Sequence, residues 1–128
     1  MEHVIYLIYV CGAFHFLLAL FHLTFWYSKK FNWQIELPKI SSLNAVLLKE
    51  SIIANIVFLL IVSFLCVFDA KMLAITDIGF DLFTGLVIFW LVRLICEFYY
   101  KKGKANFLVF AICLIGILIS GIVASLLV

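Results

Sequence analysis

The chain has 128 residues, 68% of them hydrophobic and only 12% charged, with a net charge of +2. That balance leaves too little polar surface for a water-soluble domain, so the chain reads as a membrane protein whose first partner is the lipid bilayer, with no nucleic acid among its expected partners. Four cysteines are present, each alone in a different apolar stretch (Cys11, Cys66, Cys96, Cys113). No C-x-x-C pair for disulfide or metal chemistry is formed, no metal site is expected, and small buried hydrophobes are the reading for all four.

Four stretches reach the roughly 20 apolar residues a helix needs to cross a bilayer core: residues 4–27, 43–68, 78–100 and 106–128. The expected fold is all-α, one integral membrane four-helix bundle over residues 1–128 with short connections. Every Lys and Arg except Lys71 lies in or beside the first and third connections. The positive-inside rule then puts both connections in the cytoplasm and both termini outside it, in a bacterial inner membrane.

The first stretch carries no formal charge between Val4 and Tyr27, but it holds His15 and His22. It is too long for a signal-peptide core and has no basic region before it, so it is expected to remain as a helix. Two helical turns separate the histidines, which places both imidazoles on one face about 10 Å apart. Ionisable groups at membrane depth are costly and point to function by default. On a helical wheel Cys11, Gly12, His15, Leu18, Ala19, His22 and Trp26 share that face.

The first connection, KKFNWQIELPKISS, is expected to lie along the membrane surface with Trp26 and Trp33 as interfacial anchors, and Pro38 is expected to block regular structure. Ser41, Ser42 and Asn44 are candidate caps for the second helix. That helix aligns Asn44, Leu48, Ser51, Asn55, Val62 and Cys66. The second connection, DAKMLAITD, reads as a short outer turn with Thr76 or Asp77 as the next cap. The third helix carries Arg93 and Glu97, whose i,i+4 spacing permits an ion pair. In the third connection, KKGKAN, Gly103 is placed to end one helix and Asn106 to start the next. The fourth helix is uncharged and carries Gly116, Ser120 and Ala124 at four-residue intervals, the spacing that lets helices approach closely in lipid. Its partner lies either in the same chain or in a neighbouring copy.

By depth, His22 and Arg93 come about 8 and 10 Å from the cytoplasmic boundary, with Ser51 entering at the same level. The candidate polar site is therefore His15, His22, Ser51, Asn55, Arg93 and Glu97, open to the cytoplasm.

Several families share pieces of this pattern. The motifs H-x6-H-x2-FW from His15 to Trp26, FNW at Phe31 to Trp33, Asn44 shortly after Pro38, and FWLVR with a following Glu from Phe89 to Glu97 resemble a group of uncharacterised small four-span bacterial membrane proteins. That resemblance supports these positions and implies no chemistry. The segment FWLVRLICEFYY is similar to the late helix of the membrane-associated eicosanoid and glutathione enzymes, but KESIIANI does not reproduce their Asn-x-x-Glu signature. Small membrane cytochromes use intramembrane histidine pairs. Because His15 and His22 share one helix, a haem bridged by two imidazoles requires a second chain.

With no serine nucleophile motif, P-loop or metal motif, the sequence points away from an autonomous enzyme. The first reading is a non-enzymatic membrane component, either a small subunit of a larger complex or a homo-oligomeric pore. The alternatives are a haem- or quinone-binding redox protein using the helix 1 histidines, and a glutathione- or lipid-modifying membrane enzyme using Arg93.

Overall fold

A computed structural model describes residues 1–27, 32–100 and 106–127, without the side chains of residues 25, 26 and 100. The described residues form helices α1 (Glu2–Tyr27), α2 (Trp33–Glu36), α3 (Ser42–Phe68), α4 (Ala70–Ile75), α5 (Asp77–Tyr100) and α6 (Phe107–Leu126), with a 3₁₀ turn at Leu37–Lys39 and no strand. Helices α1, α3, α5 and α6 are long and apolar enough to cross a membrane. The shortest, α6, has 20 residues and so spans about 30 Å, the thickness of a bilayer core.

Local chemistry explains where these helices begin. Ser41 Oγ accepts from Asn44 N at 3.2 Å at the start of α3, and Asn106 Oδ1 accepts from Leu108 N at 3.0 Å at the start of α6. Each supplies a partner to an otherwise orphaned first-turn amide. The Gly103 position and the side chain of Trp26 lie outside the described residues.

Two connections are more ordered than their sequences suggest. Pro38 does not abolish regular structure: it enters a 3₁₀ turn at its first residues, where a missing N–H costs no hydrogen bond. Asn32, at the N-cap of α2, adopts the left-handed conformation with φ of 44°. The second connection is not a bare turn, because AKMLAI coils into α4 and buries Ala70 and Leu73. Its end meets α5 so closely that a Cβ on Gly79 would lie 1.8 Å from the carbonyl oxygen of Leu73. Only glycine fits there.

The four long helices pack as two antiparallel hairpins, α1 with α3 and α5 with α6, joined where α1 lies against α6 and capped by α4. One core layer near the chain termini gathers Ile8, Cys11, Val62, Cys66, Phe83 and Val123. A second, at mid-bundle, gathers Leu18, Ala19, Ile56, Leu59, Trp90 and Cys113. Large apolar side chains such as Phe16, Leu17, Ile61, Phe64, Ile88 and Leu118 cover the outside. An exposed apolar surface this extensive is suited to lipid rather than water.

Full burial then stops. Toward the end that carries Tyr27, Ser42, Tyr100 and Phe107, the last fully buried residues are Ala19 on α1, Ile56 on α3, Trp90 on α5 and Cys113 on α6. Beyond them, no described side chain on these helices is fully buried.

Candidate functional site

The buried face of α1 is the one its sequence aligns: Cys11, Gly12, His15, Leu18 and Ala19 are all buried. His15 is 0% exposed. Its Nδ1 donates to the carbonyl oxygen of Cys11 at 2.8 Å, with the Cys11 sulfur 3.6 Å away. A carbonyl only accepts, so Nδ1 carries the proton, and in the neutral ring Nε2 is left as an acceptor. That Nε2 is buried and makes no hydrogen bond. Phe14 meets the imidazole edge-on at 5.3 Å, and the Trp90 indole lies 5.8 Å away between ring centroids.

Every long helix contributes to this interior locus. From α3 comes Cys66, beside the Cys11 thiol, and from α6 comes Ser120, which flanks the same sulfur. Trp90 arrives from α5, and its Nε1 is also buried without a hydrogen bond, as is Ser120 Oγ. Two glycines permit the close approach. A Cβ on Gly12 would lie 2.8 Å from Cys66 Cβ, and one on Gly116 would lie 2.5 Å from the Trp90 ring. Gly116, Ser120 and Ala124 are all buried. The small-residue stripe of α6 thus meets Trp90 and Cys11 of its own chain.

A second polar locus sits past the packed core. His22 is half-buried, and its Nδ1 donates to the carbonyl oxygen of Leu18 at 2.8 Å. The exposed Arg93 lies close enough for its charge to act on both His22 and Cys113, and the charge of Glu97 also reaches Cys113. Glu97 Oε1 accepts from the backbone N of Asn106 at 3.0 Å, which ties the end of α5 to the start of α6.

Of the six residues aligned by depth, Arg93 lies within electrostatic reach of His22, and Arg93 and Glu97 lie within reach of Cys113. His15 belongs to the separate interior locus. Asn55 is half-buried on α3 next to the core residue Ile56, and Ser51 is exposed, with its hydroxyl donating to Leu47 O of its own helix at 2.8 Å. Trp33 is half-buried at the start of α2. Sequence reasoning missed Trp90 and the Cys11–Cys66 contact as parts of the His15 locus, although the wheel had placed Cys11 beside His15.

Chemically, the interior locus holds one acceptor, one donor, a hydroxyl and two thiols, with no carboxylate among the residues named. Among the described residues no group of three or more His, Cys, Asp or Glu is arranged to hold a metal ion. The locus does not fit a haem shared between two chains. His15 is wholly enclosed, with Phe14 and Trp90 against its ring, so a second chain's imidazole has no path to an iron bound there. The chain matches no protein-family model, no curated protein and no solved structure.

Proposed function

We propose that this chain is a non-enzymatic, multi-pass component of a bacterial inner-membrane assembly, with both termini outside the cytoplasm, and that it completes its cytoplasmic half by association with a larger partner or with further copies of itself. The observation that carries this reading is the end of full burial at Ala19, Ile56, Trp90 and Cys113. A four-helix bundle that fully buries side chains over only part of its length leaves helix faces for other helices to cover. Those faces are not purely apolar: Arg93 is exposed, and the amide of Asn55 is half-exposed. Polar side chains at this depth are stabilised by interhelical partners, each hydrogen bond contributing on the order of 0.6–2 kcal/mol. The polar site of the assembly is then His22, Arg93 and Glu97, facing the cytoplasm.

Native mass spectrometry of the protein released from its own membrane is the direct test. Assemblies larger than one chain are expected, and Asn55→Leu and Arg93→Leu should each shift the distribution toward the single chain. A clean monomer from the native membrane overturns the reading. Sidedness is checked separately, with single cysteines at Lys71 and Lys39 in a cysteine-free background. An impermeant maleimide added to intact cells should label the first and spare the second.

A further inference from the structure

The polar atoms at the centre of the bundle complement one another. His15 Nε2 is an acceptor because Nδ1 spends its proton on the Cys11 carbonyl; Trp90 Nε1 is a donor only; Ser120 Oγ can be either. All three residues are at least 98% buried, and none of these atoms hydrogen-bonds to protein. The two rings are also neighbours, 5.8 Å apart at a 51° tilt, while Ser120 flanks the Cys11 sulfur on the Nδ1 side of the imidazole.

We infer that this locus is a binding site for an interior water molecule, held between His15 Nε2 and Trp90 Nε1. The water donates to His15 Nε2 and accepts from the indole N–H. Buried waters make roughly two to four such bonds, and they occupy sites where polar groups would otherwise go unsatisfied. Larger polar ligands are excluded by the same packing that encloses the site: Phe14 on one edge of the imidazole, and an α6 backbone so near the indole that a side chain at Gly116 would collide with it. The thiols Cys11 and Cys66, the titratable groups that join His15 here, lie beside one another on its Nδ1 side. The water therefore bridges α1 of one hairpin to α5 of the other.

The test is water-edited solid-state NMR on uniformly ¹³C,¹⁵N-labelled protein in lipid bilayers, with Trp26→Phe and Trp33→Phe so that Trp90 supplies the sole indole signal. Magnetisation from water protons is expected to reach the Trp90 indole N–H several-fold faster than the methyls of the neighbouring core residues Leu86 and Val123. Ser120→Ala, which leaves both ring contacts in place, should retain that transfer. Transfer to the indole no faster than to those methyls overturns the site, whether the indole proves free or bonded directly to His15. The wild-type measurement alone decides the matter if a variant fails to fold.

Discussion

The indole of Trp90 occupies the space that any side chain at Gly116 would need. A Cβ there would lie 2.5–2.7 Å from three atoms of the ring, closer than real Cβ contacts come. Because Trp90 is 2% exposed and packed against Phe14, His15 and Phe89, the indole cannot simply swing aside. Gly116→Ala should therefore push α5 and α6 apart and destabilise the bundle by about 1–3 kcal/mol, the usual range for overpacking a core. Unfolding equilibria in detergent, followed by Trp90 fluorescence, would measure it. Gly121→Ala on the same helix is the control: its nearest neighbour is Val87 Cγ2 at 3.9 Å, so its effect should stay within about 0.5 kcal/mol.

The other hairpin depends on Gly12 in the same way. A methyl group at this position would meet Cys66 Cβ at 2.8 Å and the carbonyl oxygen of Ser63 at 3.3 Å, both on α3. Neither neighbour is the end of a flexible side chain, so Gly12→Ala should separate the α1 and α3 backbones. The expected outcome is a loss of thermal stability together with faster amide exchange in α1. Gly85→Ala meets nothing within 4 Å and should leave both unchanged.

His15 and His22 should part company under substitution, although the sequence presents them as equivalents. His15→Ala removes a fully enclosed ring from between Phe14 and Trp90, and should cost about 2–5 kcal/mol, as large-to-small core changes do. His22→Ala takes away a half-buried ring whose hydrogen bond runs back to its own helix, at Leu18. Its cost should be the smaller of the two, because much less of the ring is enclosed. Equal losses would show that the two rings share one environment.

The spans were legible because hydropathy and capping act locally. Apolar length marked the four long helices to within two residues, and Ser41 and Asn106 cap their helices as side chains of their type do. The buried face of α1 was legible too, since helical periodicity alone sorts Cys11, His15 and Ala19 onto one side. What the sequence did not show is how the helices are staggered. Cys11 lies nine residues inside the start of α1, whereas its partner Cys66 lies two residues inside the end of α3. That offset is worth roughly 10 Å along the axis at 1.5 Å per residue. Matching residues by counting from each helix end therefore drew Ser51 toward the histidines and left Cys66 out. Trp90 was hidden for a different reason. A tryptophan in an apolar run looks like bulk, and its N–H becomes informative only once His15 is found beside it without a partner for Nε2.

Glu97 offers a way to separate charge from hydrogen bonding at the second polar locus. Its Oε1 accepts from the backbone N of Asn106, whose own Oδ1 accepts from Leu108 N, both at 3.0 Å. The carboxylate and the amide therefore act in series: one fixes the residue that caps α6, and the other satisfies the first turn. Glu97→Ala should release Asn106 and fray the start of α6, with a loss of about 0.5–2 kcal/mol, the range for a lost cap. Glu97→Gln keeps an acceptor oxygen in place and should retain most of that stability, while removing the negative charge near Cys113. Hydrogen exchange at Leu108, Val109 and Phe110 reads the cap directly. Protection should fall in Glu97→Ala and Asn106→Ala, fall no further when the two are combined, and survive in Glu97→Gln. Additive losses in the double variant would mean that the two side chains stabilise α6 independently, and the serial cap would be wrong.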